Sequence, residues 1–301
     1  MANATTTTLQ EAQIIRRKQT HFDLIWFEFK KNKMAIAGLV FLVIIFLTAL
    51  FAKQIMPYDP LELDTQYAQG IPMPPNADHW MGTDNFGRDI LSRLLSGARV
   101  SLSVGFVAVG ISTAIGVVLG AVAGFYGGGV DNFLMRTADI FLSLPTFYLI
   151  LSVNSFLKPS IYNIMVVIGV FGWMGVSRLV RGEFLRLKEM DFISAARSVG
   201  VSNLRIISRH LLPNSVVPII VSATISIPGA ILFESALSFL GLGVPAPLAS
   251  WGNMLYDGKA WLHQAWWMWI PPGLLISITV IAFNFVGDGL RDAFDPQQRG
   301  R

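Results

Sequence analysis

Glu234 is the one acidic side chain between Leu211 and Tyr256, a tract that holds no lysine or arginine either. A carboxylate at membrane depth is expensive, and such groups face a cavity or a partner charge. Lining a path, Glu234 would attract a cationic group. Near the headgroups its cost is small and it needs no function. No bond-making constellation accompanies it. The only Gly-Lys pair is Gly258-Lys259, with Asn253 where the first glycine of a nucleotide-binding loop belongs and Ala260 where its Ser or Thr belongs. HExxH, GxSxG and GxGxxG are absent. There is no cysteine, and His21, His79, His210 and His263 show no ligand spacing. No catalytic and no metal residues are assigned. The chain does not read as an enzyme, and the energy for any transport comes from another subunit or an ion gradient.

A second stretch, DFISAARSVGVSNLRIISRHLLP at 191–213, is charged and amphipathic between two long apolar spans. Phe192, Ala195, Ala196 and Val199 recur at helical spacing and share a face. Gly200 is free to take the left-handed conformation that stops a helix, and Ser202 is placed to cap the next one. Leu204, Ile207 and Leu211 then fall on one side, with Arg205 and Arg209 elsewhere. Two short helices hinged at Gly200 are predicted, patterned for a docking partner.

The elements that must position these residues are apolar. The 301-residue chain is 53% hydrophobic and 14% charged, against about 25% charged in soluble domains. Met34–Ala52, Val100–Val130, Ile140–Leu157, Pro159–Ser177, Leu211–Phe233 and Ala265–Gly287 contain no Asp, Glu, Lys or Arg. A span needs about 20 apolar residues and must be helical to satisfy its backbone. Six transmembrane helices are predicted in an all-α membrane protein. With the amino terminus inside, only Lys53, Arg88, Arg93, Arg99, Lys158 and Lys259 of the 23 basic residues fall outside. That bias puts both termini and the 191–213 segment in the cytoplasm. The net charge of +4 therefore reflects topology, and no aromatic-interleaved basic patch for nucleic acid is present.

The division expected is a cytoplasmic segment 1–34, a first span 35–52, an outer loop 53–99, a core 100–290 with loop 181–212, and a tail 291–301. Residues 1–20 read as a disordered start, and FDLIWFEFKKNK (22–33) as an interfacial helix whose lysines face anionic lipid. Ile90, Leu91, Leu94 and Leu95 suggest a short helix lying on the outer face. Gly116, Gly120 and Gly124, four apart, predict close helix packing. Pro145, Pro218 and Pro228 predict kinks or breaks. LGLGVPAPLASWGNMLYDG reads as a re-entrant or surface loop, and Trp261, Trp266, Trp267 and Trp269 as an aromatic belt.

The spacing of Ser194-Ala195-Ala196, three residues, Gly200, nine residues, then His210-Leu211-Leu212-Pro213 resembles the coupling motif of permease subunits of ATP-binding-cassette (ABC) importers. Ser194 stands where that pattern has Glu, and His210 where it has Ile. FKKNKMAIAG, GTDNFGRDILSRLLSGARVSL, ESALSFLGLG, PAPLASWGNML and GDGLRDAFDP extend the resemblance from about Phe27 to Pro296. Together they are similar to the C-type permease of dipeptide, oligopeptide and nickel importers. The resemblance implies a type I ABC importer permease fold with cytoplasmic coupling helices, in a bacterial inner or plasma membrane. It implies a homologous B-type permease, two ATPase subunits that hold the ATP and Mg, and an extracytoplasmic binding protein delivering di- or oligopeptide. This chain would carry no cofactor itself. Ser194, Ala195, Ala196, Gly200, His210, Leu212 and Pro213 would contact or follow the ATPase, and Glu234 would attract a peptide's amino terminus. The alternatives are nickel or another small solute as cargo, an ion-coupled secondary transporter, or a membrane scaffold.

Overall fold

Asn32 and Asp89 each begin a long helix. Asn32 accepts a hydrogen bond from the Ala35 N–H at 3.1 Å, separating α1 (His21–Lys31) from α2 (Lys33–Leu50). Asp89 accepts one from the Ser92 N–H at 2.7 Å at the head of α4 (Ile90–Tyr126), after the single turn α3 (Ala52–Ile55) and a loop. The computed structural model describes residues 21–68 and 70–294. The predicted disordered start and most of the tail lie outside that range.

Helix α4 corrects one expectation. The helix foreseen on the outer face is the first part of a single 37-residue helix, about 55 Å long at 1.5 Å per residue. No residue between the Ile90–Leu95 stripe and the apolar run from Val100 stops a helix. Arg93 is also buried among carboxylates.

The next two predicted spans are bent. Pro145 separates α5 (Gly128–Ser143) from α6 (Thr146–Phe156) at 86°, because Leu144 before it is held extended. α7 (Ile161–Val170) and α8 (Trp173–Lys188) meet at 41°. The hinge helices are α9 (Asp191–Ser198) and α10 (Asn203–Ile206). α11 (Leu212–Phe239) keeps Pro218 and Pro228 inside it. The short α12 (Trp251–Gly258) and long α13 (Trp266–Phe294) complete the chain. Among the described residues, four helices are long and apolar enough to span a membrane, or up to six if each bent pair counts as one span.

Small residues set the packing. A Cβ at Gly116 would lie 2.6 Å from Val176 Cβ, one at Gly124 2.7 Å from Phe184 Cβ, and one at Gly120 would strike the Ser177 carbonyl. Helix α4 therefore lies directly against α8, as the spacing predicted. Gly38 does the same for α2 and α13, at 2.8 Å from the Ala282 carbonyl. Phe29 is buried, whereas Trp26 and Phe27 are exposed beneath Lys30 and Lys31 at 5.0 and 4.9 Å. That is the amphipathic helix expected near 22–33. Trp267 is no belt residue: it is buried, and its indole N–H donates to the Thr83 carbonyl at 3.2 Å.

Candidate functional site

Segment 191–213 folds as two helices around a left-handed glycine. Gly200 has φ +76°, its N–H donates to Arg197 O at 3.0 Å, and the Val201 N–H donates to Ala196 O at 3.1 Å. These paired bonds close α9 as a Schellman cap. Ser202 stands at the head of α10, but its side chain makes no capping bond.

The face is split differently from the sequence expectation. Ile193, Ile206 and Leu211 are fully buried with Val180 and Phe184, and Ala196 turns inward with them. Phe192, Ala195 and Val199, at i, i+3 and i+7, point outward. Val199 is 79% and Leu204 76% exposed. The inner side thus holds the segment to α8 and the end of α4, and the outer side presents apolar groups that none of the described residues covers. Period alone could not separate two apolar faces 100° apart on an eight-residue helix.

Cations fix the neighbouring helix ends. Lys188 donates to the Phe125 carbonyl at the end of α4 at 2.8 Å, where the helix dipole favours positive charge. Arg197 of α9 stacks over the Phe125 ring at 5.8 Å. Asp131 of α5 holds Arg181 of α8, with Nη2 to Oδ2 at 2.6 Å, and Asp139 pairs with Arg178.

Ser194 and Ala195 are exposed on α9, and His210 and Leu212 are half-buried on either side of Leu211. Between α10 and α11 the turn Ile207–Leu211 widens, and the Leu212 N–H reaches back to Ile207 O. The widened turn accommodates Pro213, which has no N–H for the Arg209 carbonyl and whose ring would crowd it. Asn203–Phe239 is thereby one continuous helical run from the hinge to the far end of the molecule.

Glu234 lies near that far end. It is 0% exposed, within a cradle of serine hydroxyls. Ser238 donates to Oε1 at 2.7 Å and Ser101 of α4 to Oε2 at 3.1 Å. Ser101, which completes the cradle, gave no sequence signal, since it lies 133 residues away on α4.

An ionic cluster lies close by. Arg88 Nε donates to Asp84 Oδ2 at 2.6 Å, and Arg93 Nη2 to Asp257 Oδ2 at 3.2 Å. Arg93 is 2% exposed. Burial raises the Asp257 carboxyl above its ordinary value, against the opposing pull of Arg93 and Arg88. Asp84 also accepts from the N–H groups of Phe86 and Arg88 at 2.9 and 3.0 Å. The GTDNFGRD stretch is therefore a knot that joins the loop to α4 and α12.

Residues 116–300 match the family described as binding-protein-dependent transport system inner membrane component, and residues 20–75 match the N-terminal transmembrane domain of oligopeptide transport permease C. The chain belongs to this permease family. The dipeptide transport system permease protein DppC of Bacillus subtilis is 41% identical over 292 residues, covering 96% of this chain and 90% of that protein. The oligopeptide transport system permease protein OppC of the same species is 41% identical over 272 residues, covering 90% and 88%. OppC of Haemophilus influenzae is 38% identical, covering 96% and 94%. A chain of the inward-facing MetNI methionine ABC transporter superposes with a TM-score of 0.54 at 20% identity, covering 68% of this chain and 97% of that one. The fold is that of a type I importer permease. Membership makes the chain a multi-pass membrane transport subunit, with ATP hydrolysis on separate subunits.

Proposed function

We propose that this chain forms half of the translocation path of an ATP-driven importer of di- or oligopeptides, and that its 191–213 segment is the site at which an ATPase subunit pushes. The observation that carries the reading is the hinge itself. Its inner face is anchored by Ile193, Ile206 and Leu211, and its outer face leaves Phe192, Val199 and Leu204 uncovered. Apolar groups at that spacing on an otherwise charged loop fit a cleft on a partner. Ser194, Ala195 and Ala196 sit on the contacting helix, and Gly200 is the pivot. His210, Leu212 and Pro213 join that pivot to α11, so a displacement travels along one helical run.

The remaining members are a homologous B-type permease, two ATPase subunits carrying ATP and Mg, and an extracytoplasmic peptide-binding protein. The charge bias along the chain supports both termini and the hinge lying in the cytoplasm, with the 53–89 loop facing the binding protein. Peptide cargo is supported by the names of the relatives at 41% identity.

Purifying the assembly with its binding protein and identifying the bound solute by mass spectrometry tests the cargo. Short peptides are expected, and uptake in proteoliposomes should require ATP. A nickel complex as the bound solute would overturn the cargo, and proton- or sodium-driven uptake without ATP would overturn the mechanism.

A further inference from the structure

Glu234 has no cation against it among the described residues, yet it is the one carboxylate on the helix that begins at the hinge and it is fully enclosed. Its two oxygens are used in different directions. Oε2 accepts from Ser101 of α4, and the same Ser101 oxygen accepts the Trp251 N–H that opens α12, at 3.2 Å. Oε1 accepts from Ser238, whose oxygen accepts the Val244 N–H of the 240–250 loop, at 3.1 Å. Ser235 adds a longer contact to Oε2 at 3.5 Å. One side chain thus collects α4, the loop and α12 onto the end of α11.

The backbones there are too close to slide independently. A Cβ at Gly252 of α12 would lie 2.6 Å from Ser235 Cα, and one at Gly97 of α4 3.3 Å from the Ser250 carbonyl carbon. The trp indole agrees with this: Trp251 Nε1 donates to Leu94 O of α4 at 3.2 Å. Ser238, Val244 and Asn253, all tied to this junction, line a 680 Å³ cavity that Asn154 and Leu157 also line.

We propose that Glu234 is the positioning residue at the far end of the coupling stroke, fastening α11 to the loop and α12 so that a push at the hinge moves this cavity wall. The proposal rests on the coupling role given to 191–213. Hydrogen bonds from hydroxyls to a buried carboxylate are strong because the donor's alternatives to it have been removed with the water. They hold a junction in register without needing a counter-ion. Without the carboxylate, Ser101 and Ser238 lose their common acceptor, and α12 is left to follow α11 through packing alone.

The chain has no cysteine, so the test is direct. Phe156, 90% exposed at the end of α6, lies between the lining residues Ser155 and Leu157, and Tyr256, 49% exposed on α12, itself lines the cavity. Spin labels on F156C/Y256C in the complete reconstituted importer should report a distance that changes when ATP is trapped on the ATPases. In Glu234→Leu that change is expected to vanish and uptake to fall about tenfold or more, with basal ATP hydrolysis kept. Glu234→Gln keeps one acceptor oxygen and should retain uptake within about threefold of the parent. If E234L does not assemble, Ser101→Ala and Ser238→Ala decide, each expected to shrink the ATP-dependent distance change. An unaltered distance change and unaltered uptake in E234L, or in both serine variants, would overturn the proposal. If ATP moves the labels in no protein, the parent included, the coupling reading has failed rather than the latch.

Discussion

At the hinge end, Ile193, Ile206 and Leu211 are fully buried while Phe192, Val199 and Leu204 stand uncovered. At the loop end, Glu234, Arg93, Asp84 and Asp89 are all buried, and each has partners on neighbouring segments. The first region is attached by apolar packing, which has no directionality and lets a helix pair rock about Gly200. The second is stitched by directional polar bonds that work only in one register. Under the coupling role proposed for 191–213, force would enter at the apolar attachment and be delivered at the polar one. The continuous run from Asn203 to Phe239 connects them.

The contrast is broken most severely at the rigid end. Arg93→Met leaves Asp84 and Asp257 short of a buried cation, and losing one partner of a buried ionic cluster costs about 3–5 kcal/mol. A large fall in thermal unfolding temperature of the assembled complex is expected. A change within experimental scatter would show that the cluster does not hold the loop to α4 and α12.

At the hinge, Gly200→Val forces a β-branched residue to a φ of +76°, a strain of about 1–3 kcal/mol. No atom lies within 4 Å of a Cβ there, so the effect is conformational rather than steric. ATP hydrolysis should persist while uptake falls, and Gly200→Asn should be milder because Asn tolerates the left-handed region. Wild-type peptide uptake per ATP in G200V would contradict the hinge.

A smaller effect is expected from pH. Burial raises Asp257 above 3.8, so the folded chain holds that proton more tightly than the unfolded one. The contribution is fully present below the unfolded value and is lost as pH rises through the raised folded one. The stability of wild type relative to Asp257→Asn should therefore decline as pH increases through the mildly acidic range. A difference that stays flat or climbs there would reverse the sign assigned.

The smallest stability effect belongs to Leu204→Ser, an exposed site where a change within about 0.5 kcal/mol is expected. Its effect on function should be the opposite in size: substrate-stimulated ATP hydrolysis should drop although the melting curve does not move. A variant that transports normally would remove Leu204 from the docking face.

Much of this was legible in the chain. The six apolar stretches, the stops at Pro145 and Gly200, and the close approach promised by Gly116, Gly120 and Gly124 follow from local rules on backbone and size. What the sequence did not disclose depends on residues brought together from afar. Arg93 reads as a surface charge until Asp84 and Asp257 are seen around it, and the burial of Glu234 depends on Ser101 arriving from α4. Trp267 resembles an interface anchor until Thr83 arrives from the loop. The division of α9 into an inner Ile193–Ala196 side and an outer Phe192–Ala195–Val199 side needed the position of α8, which no periodicity supplies.

The outer face of α9 is the proposed seat of an ATPase subunit. Single cysteines at Ala195, Val199 and Ile193 of this otherwise cysteine-free chain, each carrying a short maleimide–benzophenone group that couples to the permease thiol and inserts on irradiation into C–H bonds of whatever protein lies against it, test it directly in the transport-active complex. Ala195→Cys and Val199→Cys should each give a permease–ATPase adduct, and Ile193→Cys, buried on the opposite side, should give none. Absence of an adduct from A195C and V199C in a complex that still imports its solute would contradict the account.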